Sequence, residues 1–336
     1  MKKASFGIDE FYQQNRIFDL NDTVANRDDF LHSFFSLKSE FFLLGYDLST
    51  LDINKIKYSD FVIYADMPET LPEASEYNKS YLLIFESEVI RPDNWDLEKH
   101  KHFCKIFTWN DEYVDGVRYF KINFSHKFPK TISSASMKKE KLCTLIAGNK
   151  KVSHPLELYS ERVNAINWFE KNHVDDFDLY GAGWDHYRFS GFKLIRALNR
   201  IRPLTKWLAP RLRSYKGMVI KKKDVLERYK FAICYENARD IPGYITEKIF
   251  DCFFAGCVPV YWGANNVIEH IPAQCFIDRS KFSSYEELYD FMMRMTDGEY
   301  LEYLRNIERF LTSESSNQFR SEYFAKTVSK VISDDR

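Results

Sequence analysis

Glu236, Asn237, Tyr244, Thr246, Glu247 and Lys248 bring two carboxylates, an amide, a phenol, a hydroxyl and an ammonium into one short stretch. Such a set suits a phosphorylated ligand. Thr246 is a residue type that caps helices, and the amides after a cap have no intrahelical partner and carry the positive end of the helix dipole. A phosphate fits there. Lys248 falls in the first turn, where the dipole disfavours a cation, and an anionic ligand would remove that conflict. Glu247 can accept hydrogen bonds from two ribose hydroxyls, as acidic residues do in Rossmann-type sites, and Tyr244 offers a ring and a hydroxyl to the same ligand. Alone, Thr-Glu-Lys would read as a solvated helix start; the surrounding residues reverse that balance.

Those surroundings form a β-α-β unit. An apolar run, Phe231 to Tyr235, stops at a polar turn, a helix opens at Thr246, Gly256 closes it, and a second run follows at Val258 to Trp262. The reactive residues sit at a strand end and a helix start, where open parallel sheets bind ligands. Upstream, Glu40 to Gly45, Asp60 to Ala65, Lys79 to Phe85 and Cys104 to Trp109 read as strands that end in polar loops, before a linker at Phe124 to Lys139. Leu142 to Ala147 reads as another strand, Pro155 to Lys171 as a helix, and Asp178 to Gly181 as a short strand. Helices are expected at Ser284 to Met295 and Tyr300 to Leu311, and an amphipathic tail at Gln318 to Ile332. The pattern is α/β, with two Rossmann-like domains facing each other across a cleft.

A chain of 336 residues with 45% hydrophobic content supplies two cores, and its net charge of −1 gives no bulk attraction to nucleic acid or membrane. Six cysteines lack a Cys-x-x-Cys pair and lie mostly in apolar runs, which fits buried thiols in a reducing compartment. The first residues contain no continuous apolar core of a leader, and no run approaches the roughly eighteen apolar residues of a membrane span. A cytoplasmic protein is expected.

The string from Tyr229 to Gly263 resembles the donor-binding signature of glycosyltransferase family 10, the α-1,3/1,4-fucosyltransferases. The matching residues are Tyr229-Lys230-Phe231, Glu236-Asn237, Tyr244-Ile245-Thr246-Glu247-Lys248, Ala255-Gly256, Val258-Pro259-Val260 and Trp262-Gly263, with Tyr180-Gly181-x-Gly183-Trp184 and Arg162 upstream. The resemblance implies a GT-B-like architecture: residues 1–140 for the acceptor, 141–310 for the GDP-sugar donor, and 311–336 as a helical tail. It implies GDP-fucose as donor, an oligosaccharide hydroxyl as acceptor, inversion at the anomeric carbon, and neither cofactor nor metal. Arg162 and Lys248 would neutralise the diphosphate, while Asn237, Tyr244 and Glu247 would hold the nucleotide. The family's base has a counterpart in Glu86, with Glu88 in reserve; strand alternation would put both on one side. Ala238 and the bulky Arg239-Asp240-Ile241-Pro242 depart from the family pattern. A bacterial-type enzyme of surface glycan or lipopolysaccharide synthesis is expected, with another GDP-linked sugar, or a catalytically silent binding protein, as alternatives.

Three features compete. Asp176-Phe177-Asp178 fits a metal-binding Asp-x-Asp, yet it immediately precedes a strand and reads as its feeding loop. His100 and His102 lack a third ligand nearby and read as a solvated loop or an acceptor contact. Residues 193–223 carry eleven lysines and arginines and no acid, interleaved with leucine, isoleucine and tryptophan. That composition fits either a peripheral contact with an anionic membrane or a basic surface lobe. It has few aromatics for nucleic acid.

Overall fold

The computed structural model describes residues 1–130, 139–187, 189 and 192–336. Part of the expected linker, residues 131–138, lies outside them. Sequences such as FVIYA and SYLLI are apolar on both faces, so they are stable only as strands covered on both sides. Six such strands make the first sheet: β1 (Lys2–Gly7), β2 (Tyr46–Thr50), β3 (Phe61–Ala65), β4 (Ser80–Ile84), β5 (Lys105–Thr108) and β6 (Tyr119–Lys121). Their order is β2-β1-β3-β4-β5-β6, and every pairing is parallel. Helix α1 (His32–Leu43) covers one face through Phe34, Leu37 and Phe41, and the short α2 (Leu97–His100) precedes β5.

Glu40 to Gly45 is therefore not a strand. Phe34, Leu37 and Phe41 recur at helical spacing, and Gly45, at φ +85°, turns the chain from α1 into β2.

The second sheet contains β7 (Lys141–Ile146), β8 (Phe177–Tyr180), β9 (Tyr229–Tyr235), β10 (Val258–Trp262) and β11 (Ile277–Asp278), in the order β11-β10-β9-β7-β8 and again all parallel. Its helices are α3 (Tyr159–Asn172), α4 (Lys193–Ala197), α5 (Arg202–Trp207), α6 (Lys222–Leu226), α7 (Glu247–Phe254), α8 (Val267–His270), α9 (Tyr285–Arg294) and α10 (Asp297–Thr312). The last helix, α11 (Ser321–Ser333), returns to the first sheet, where Phe324, Ala325, Val328 and Ile332 are buried against α1.

Both sheets are doubly wound. Strand order reverses between β1 and β3 in the first and between β7 and β9 in the second, and the crevice beyond such a reversal is where ligands bind. The two crevices open onto one cleft of about 2000 Å³, whose walls include Gly7, Asp66 and Glu86 from the first half and Gly148, Lys222 and Glu247 from the second. The halves also touch directly. Gly243, at φ +78°, approaches Trp109 so closely that a Cβ would lie 2.2 Å from its carbonyl oxygen. Beside it, Asp111 receives Lys121 Nζ at 2.6 Å, Asn266 Nδ2 at 2.8 Å and His270 Nε2 at 2.9 Å.

Candidate active site

A cavity of about 250 Å³ lies at the second reversal point, lined by Gly148, Arg162, Asn237, Glu247, Lys248 and Lys222 among others. Its floor is fixed by the Tyr-Gly-x-Gly-Trp string. Gly181, at φ +128°, passes so close to Ala147 that any Cβ would fall 2.0 Å from its carbonyl oxygen. Trp184 Nε1 donates to that oxygen at 2.7 Å. The turn after β7 is thereby held against the pocket.

The polar end of β9 is organised by Glu236, which is completely buried. Its carboxylate accepts Thr246 N at 2.8 Å, Thr246 Oγ1 at 2.6 Å and Lys248 Nζ at 3.1 Å. This corrects two expectations. Glu236 is internal support: its oxygens are taken by Thr246 and Lys248, and it does not line the cavity. Thr246 stands at the N-cap position of α7, but its hydroxyl donates to Glu236 and does not cap the helix. The first-turn amides thus lack a side-chain cap, which leaves the helix N-terminus suited to an anion.

Lys248 also has a partner already. Burial alone would lower its pKa, but Glu236 and Glu247 outweigh that and hold it above the usual lysine range. Glu247 Oε1 lies 3.7 Å from Lys248 Nζ and 3.5 Å from Lys222 Nζ. Burial pushes the Glu247 carboxyl up, and these two cations pull it well below its ordinary value. It is a fixed anion with half of its side chain open. Lys222 itself bonds Asp251 Oδ2 at 2.7 Å, one turn along α7 from Glu247. Burial raises Asp251 to about 6 in spite of that lysine. Lys222 was hidden in the sequence within the basic run, and only its pairing with two α7 carboxylates separates it from the neighbouring lysines.

Arg162 is buried, so it is no surface partner of Glu161, which bonds Tyr285 instead. One guanidinium nitrogen donates to the carbonyls of Tyr235 and Glu236 at 2.7 Å each and to Asn237 Oδ1 at 3.0 Å. Burial lowers its pKa, against the pull of Tyr159 and Glu236. Arg162 and Asn237 lie together on the cavity wall. Tyr244 does not. Its ring is buried against Trp109, 4.6 Å between centroids, and against Phe124, in the wall between the two halves. That aromatic contact turns the ring away from the cavity wall.

Across the cleft, β4 ends at Ile84 and the chain turns, so Glu86 and Glu88 separate. Asp66 Oδ1 accepts Phe85 N at 2.8 Å and Glu86 N at 3.1 Å, while the Glu86 carbonyl accepts Asn94 Nδ2 and Trp95 Nε1. The backbone is pinned and the side chain faces the cleft. Burial, then the neighbouring Asp66, raises the Glu86 carboxyl, with Lys248 and Lys150 opposing. A raised carboxyl beside two cations across a cleft has the properties of a general base for a hydroxyl group. Glu88 is exposed and lies outside the cleft lining, because alternation stops with the strand.

The competing residues are used elsewhere. Asp178 lies within β8, where it receives Tyr229 Oη at 2.5 Å and Lys141 Nζ at 2.9 Å, and Asp176 receives Tyr289 Oη at 2.7 Å. His100 is buried between the Asn94 carbonyl and Tyr119 Oη, so it belongs to the core and not to a solvated loop. No helix among the described residues is long and apolar enough to cross a membrane.

Two doubly wound sheets sharing a cleft, with a cation-lined cavity at one reversal point, define a GT-B glycosyltransferase architecture. The chain belongs to glycosyltransferase family 10: the profile described as "Glycosyltransferase family 10 (fucosyltransferase) C-term" matches residues 136–334. It is 35% identical over 97 residues to an α-(1,3)-fucosyltransferase of Helicobacter pylori, covering 29% of this chain and 20% of that protein. It is 40% identical over 72 residues to an α-(1,4)-fucosyltransferase of Arabidopsis thaliana, covering 21% and 18%. These matches span about a fifth of the relatives' own length. In fold, the chain is similar to a crystal structure of an α1,3-fucosyltransferase with GDP-fucose, at a TM-score of 0.56 and 14% identity, over 100% of this chain and 91% of that one.

Proposed function

We propose that this protein transfers L-fucose from GDP-fucose to a hydroxyl of an oligosaccharide, with inversion and without a metal. The observation that carries the reading is Glu86, a carboxyl raised by burial, facing across the cleft the cavity where Lys248, Lys222 and Arg162 converge. In this reading the diphosphate lies at the N-terminus of α7, beside Lys248 and Arg162, and Asn237 and Glu247 hold the nucleoside. Glu86 takes the proton of the acceptor hydroxyl as its oxygen attacks the anomeric carbon from the face opposite GDP. The bond to the β-phosphate oxygen breaks, and its electron pair leaves on GDP. Fixed cations and helix amides stabilise the charge that develops there. One carboxylate suffices, since the departing diphosphate needs no protonation.

The setting that we propose is surface glycan or lipopolysaccharide synthesis from the cytoplasmic face of a membrane, with a soluble donor and a lipid-linked acceptor. The test is a panel of GDP-, UDP- and CMP-sugars assayed for hydrolysis and for transfer to lactosamine-type and lipid-linked acceptors, with and without a chelator. Turnover of GDP-fucose that a chelator leaves intact is expected. Preference for a UDP-sugar, or loss of activity with the chelator, would overturn the donor or the metal-free mechanism respectively.

A further inference from the structure

The segment between β8 and β9 has two faces. Leu212 and Tyr215 pack against the core of the second sheet, Val219 is buried, and Ser214 donates to Glu170 at 2.8 Å through its amide. These residues tie the segment down. Several large apolar side chains of the same segment point out instead: Phe192 is 84% exposed, Leu194 86%, Trp207 79% and Ile220 86%. Side chains of this size are rarely left in water together without an occupant. They do not stand alone, since Lys193, Arg200, Arg202 and Lys206 are exposed among them, and no acid occurs between Asp185 and Asp224. Arg213 and Lys216, at the tied end, do find carboxylates, on Asp175 and Asp178.

We infer that this face docks on an anionic lipid bilayer, with Trp207 and Leu194 entering the interface and the cations meeting the headgroups. Charge selects the occupant. A band of cations with interspersed large apolar side chains matches a surface that is negative above and hydrocarbon below. Tryptophan is a side chain favoured at that boundary. The position gives the contact a purpose. The segment leaves β8 through Gly181 and Ala182 and rejoins the cleft at Lys221, all of which line it. Arg27 of the first half bonds the Val219 carbonyl, and Lys222 N donates to Asp28 Oδ1 at 3.1 Å, so the C-terminal end of the segment is fastened beside the cleft. A lipid-linked acceptor would then reach Glu86 from the membrane while GDP-fucose enters from solution. That purpose rests on the proposed acceptor; the surface itself does not.

The test is co-sedimentation of the full chain with vesicles of equimolar phosphatidylglycerol and phosphatidylcholine, against vesicles of phosphatidylcholine alone. Preference for the anionic vesicles is expected. Replacing Arg200, Arg202 and Lys206 together by Gln should lower that partition on the order of a hundredfold, and Trp207→Ser with Leu194→Ser should lower it too. Both variants should keep the Tm and the GDP affinity of the parent, since all five side chains are exposed. Equal partition of parent and variants, or no vesicle binding by the parent, overturns the inference. So does a parent that self-associates in solution through Trp207 and Leu194, because the occupant is then a second copy. Donor specificity, read from GDP binding by the same samples, stands or falls separately.

Discussion

Lys248 Nζ sits 3.1 Å from Glu236 Oε2, so the cation whose place in the first turn of α7 invites a diphosphate already has a buried counter-ion. The pair explains how a lysine is kept charged and aimed at the cavity before any ligand arrives. Breaking a buried pair from one side leaves the other charge uncompensated, at a cost of roughly 3–5 kcal/mol. Glu236→Ala also strips two hydrogen bonds from Thr246. It is expected to lower stability by that amount in urea denaturation, and Lys248→Met, which leaves the buried Glu236 carboxylate without its cation, should cost a similar amount and weigh more heavily on function. For Lys248→Met, the dissociation constant of GDP should rise roughly a hundredfold, from the loss of a charge-assisted contact. Equal GDP affinity in the parent and Lys248→Met would remove the lysine from the phosphate site.

The difference between these two residues shows what the sequence could reveal. The β-α-β unit, both sheets' central strands and the crowding of Arg162, Asn237, Glu247 and Lys248 follow from apolar runs, polar breaks and a long ordered motif. Direction of side chains does not. Glu236, Thr246 and Tyr244 share the motif with the cavity residues, but they turn inward, to a buried carboxylate or to Trp109, and no local pattern distinguishes them. Glu88 lies outside the cleft for a related reason: alternation stops at Ile84, where β4 ends. Strands β1 and β2 were missed because lysines open one and polar residues interrupt the other, while their burial comes from distant helices. Lys222 was invisible for want of its partner, Asp251, which is far away in sequence.

Glu86 and Glu88 are separable by kinetics. Glu86→Gln is expected to lower kcat for transfer by roughly 10²–10⁴-fold while GDP still binds, as for loss of a general base. Glu88→Gln, at an exposed position, should change kcat/KM by no more than about twofold. The pH profile carries a second sign. A base must be ionised, and burial and Asp66 raise the Glu86 carboxyl, so kcat/KM should climb with pH through a midpoint above the ordinary glutamate range. Glu86→Gln should erase that limb. A midpoint unmoved by the substitution would assign it to another group.

Gly243 joins the halves at the loop that leads to Tyr244 and Thr246. Alanine there meets both a positive φ of +78° and the Trp109 carbonyl, 2.2 Å from its Cβ. Gly45 makes a control, because its φ of +85° is similar and nothing lies within 4 Å of a Cβ. Gly45→Ala should cost only the backbone term of about 1 kcal/mol, and Gly243→Ala at least about 2 kcal/mol more, since backbone must move. The donor KM should rise with Gly243→Ala alone. Equal losses of stability in the two variants would show that the domains separate freely at this point.

His126 gives the fold a pH dependence of predictable sign. Its ring packs on Phe250, 4.6 Å between centroids, and its Nε2 is buried without a partner. Burial lowers its pKa to about 4, with Glu247 pulling up and Lys222 pulling down. In the unfolded chain the ring titrates near its ordinary 6.5, so between these values the unfolded state binds more protons. The stability due to a neutral ring is therefore fully present above 6.5 and is lost as pH falls toward 4, by at most about 3 kcal/mol. Urea midpoints for the parent and His126→Phe at pH 7, 5.5 and 4.5 isolate this contribution, because the carboxylates common to both cancel. On acidification the parent should lose stability relative to the variant, as the variant has no proton to take up. Parallel curves would mean that the ring is solvated enough to titrate normally, and that the bridge between His126 and Arg320, which precedes α11, is looser than its packing indicates.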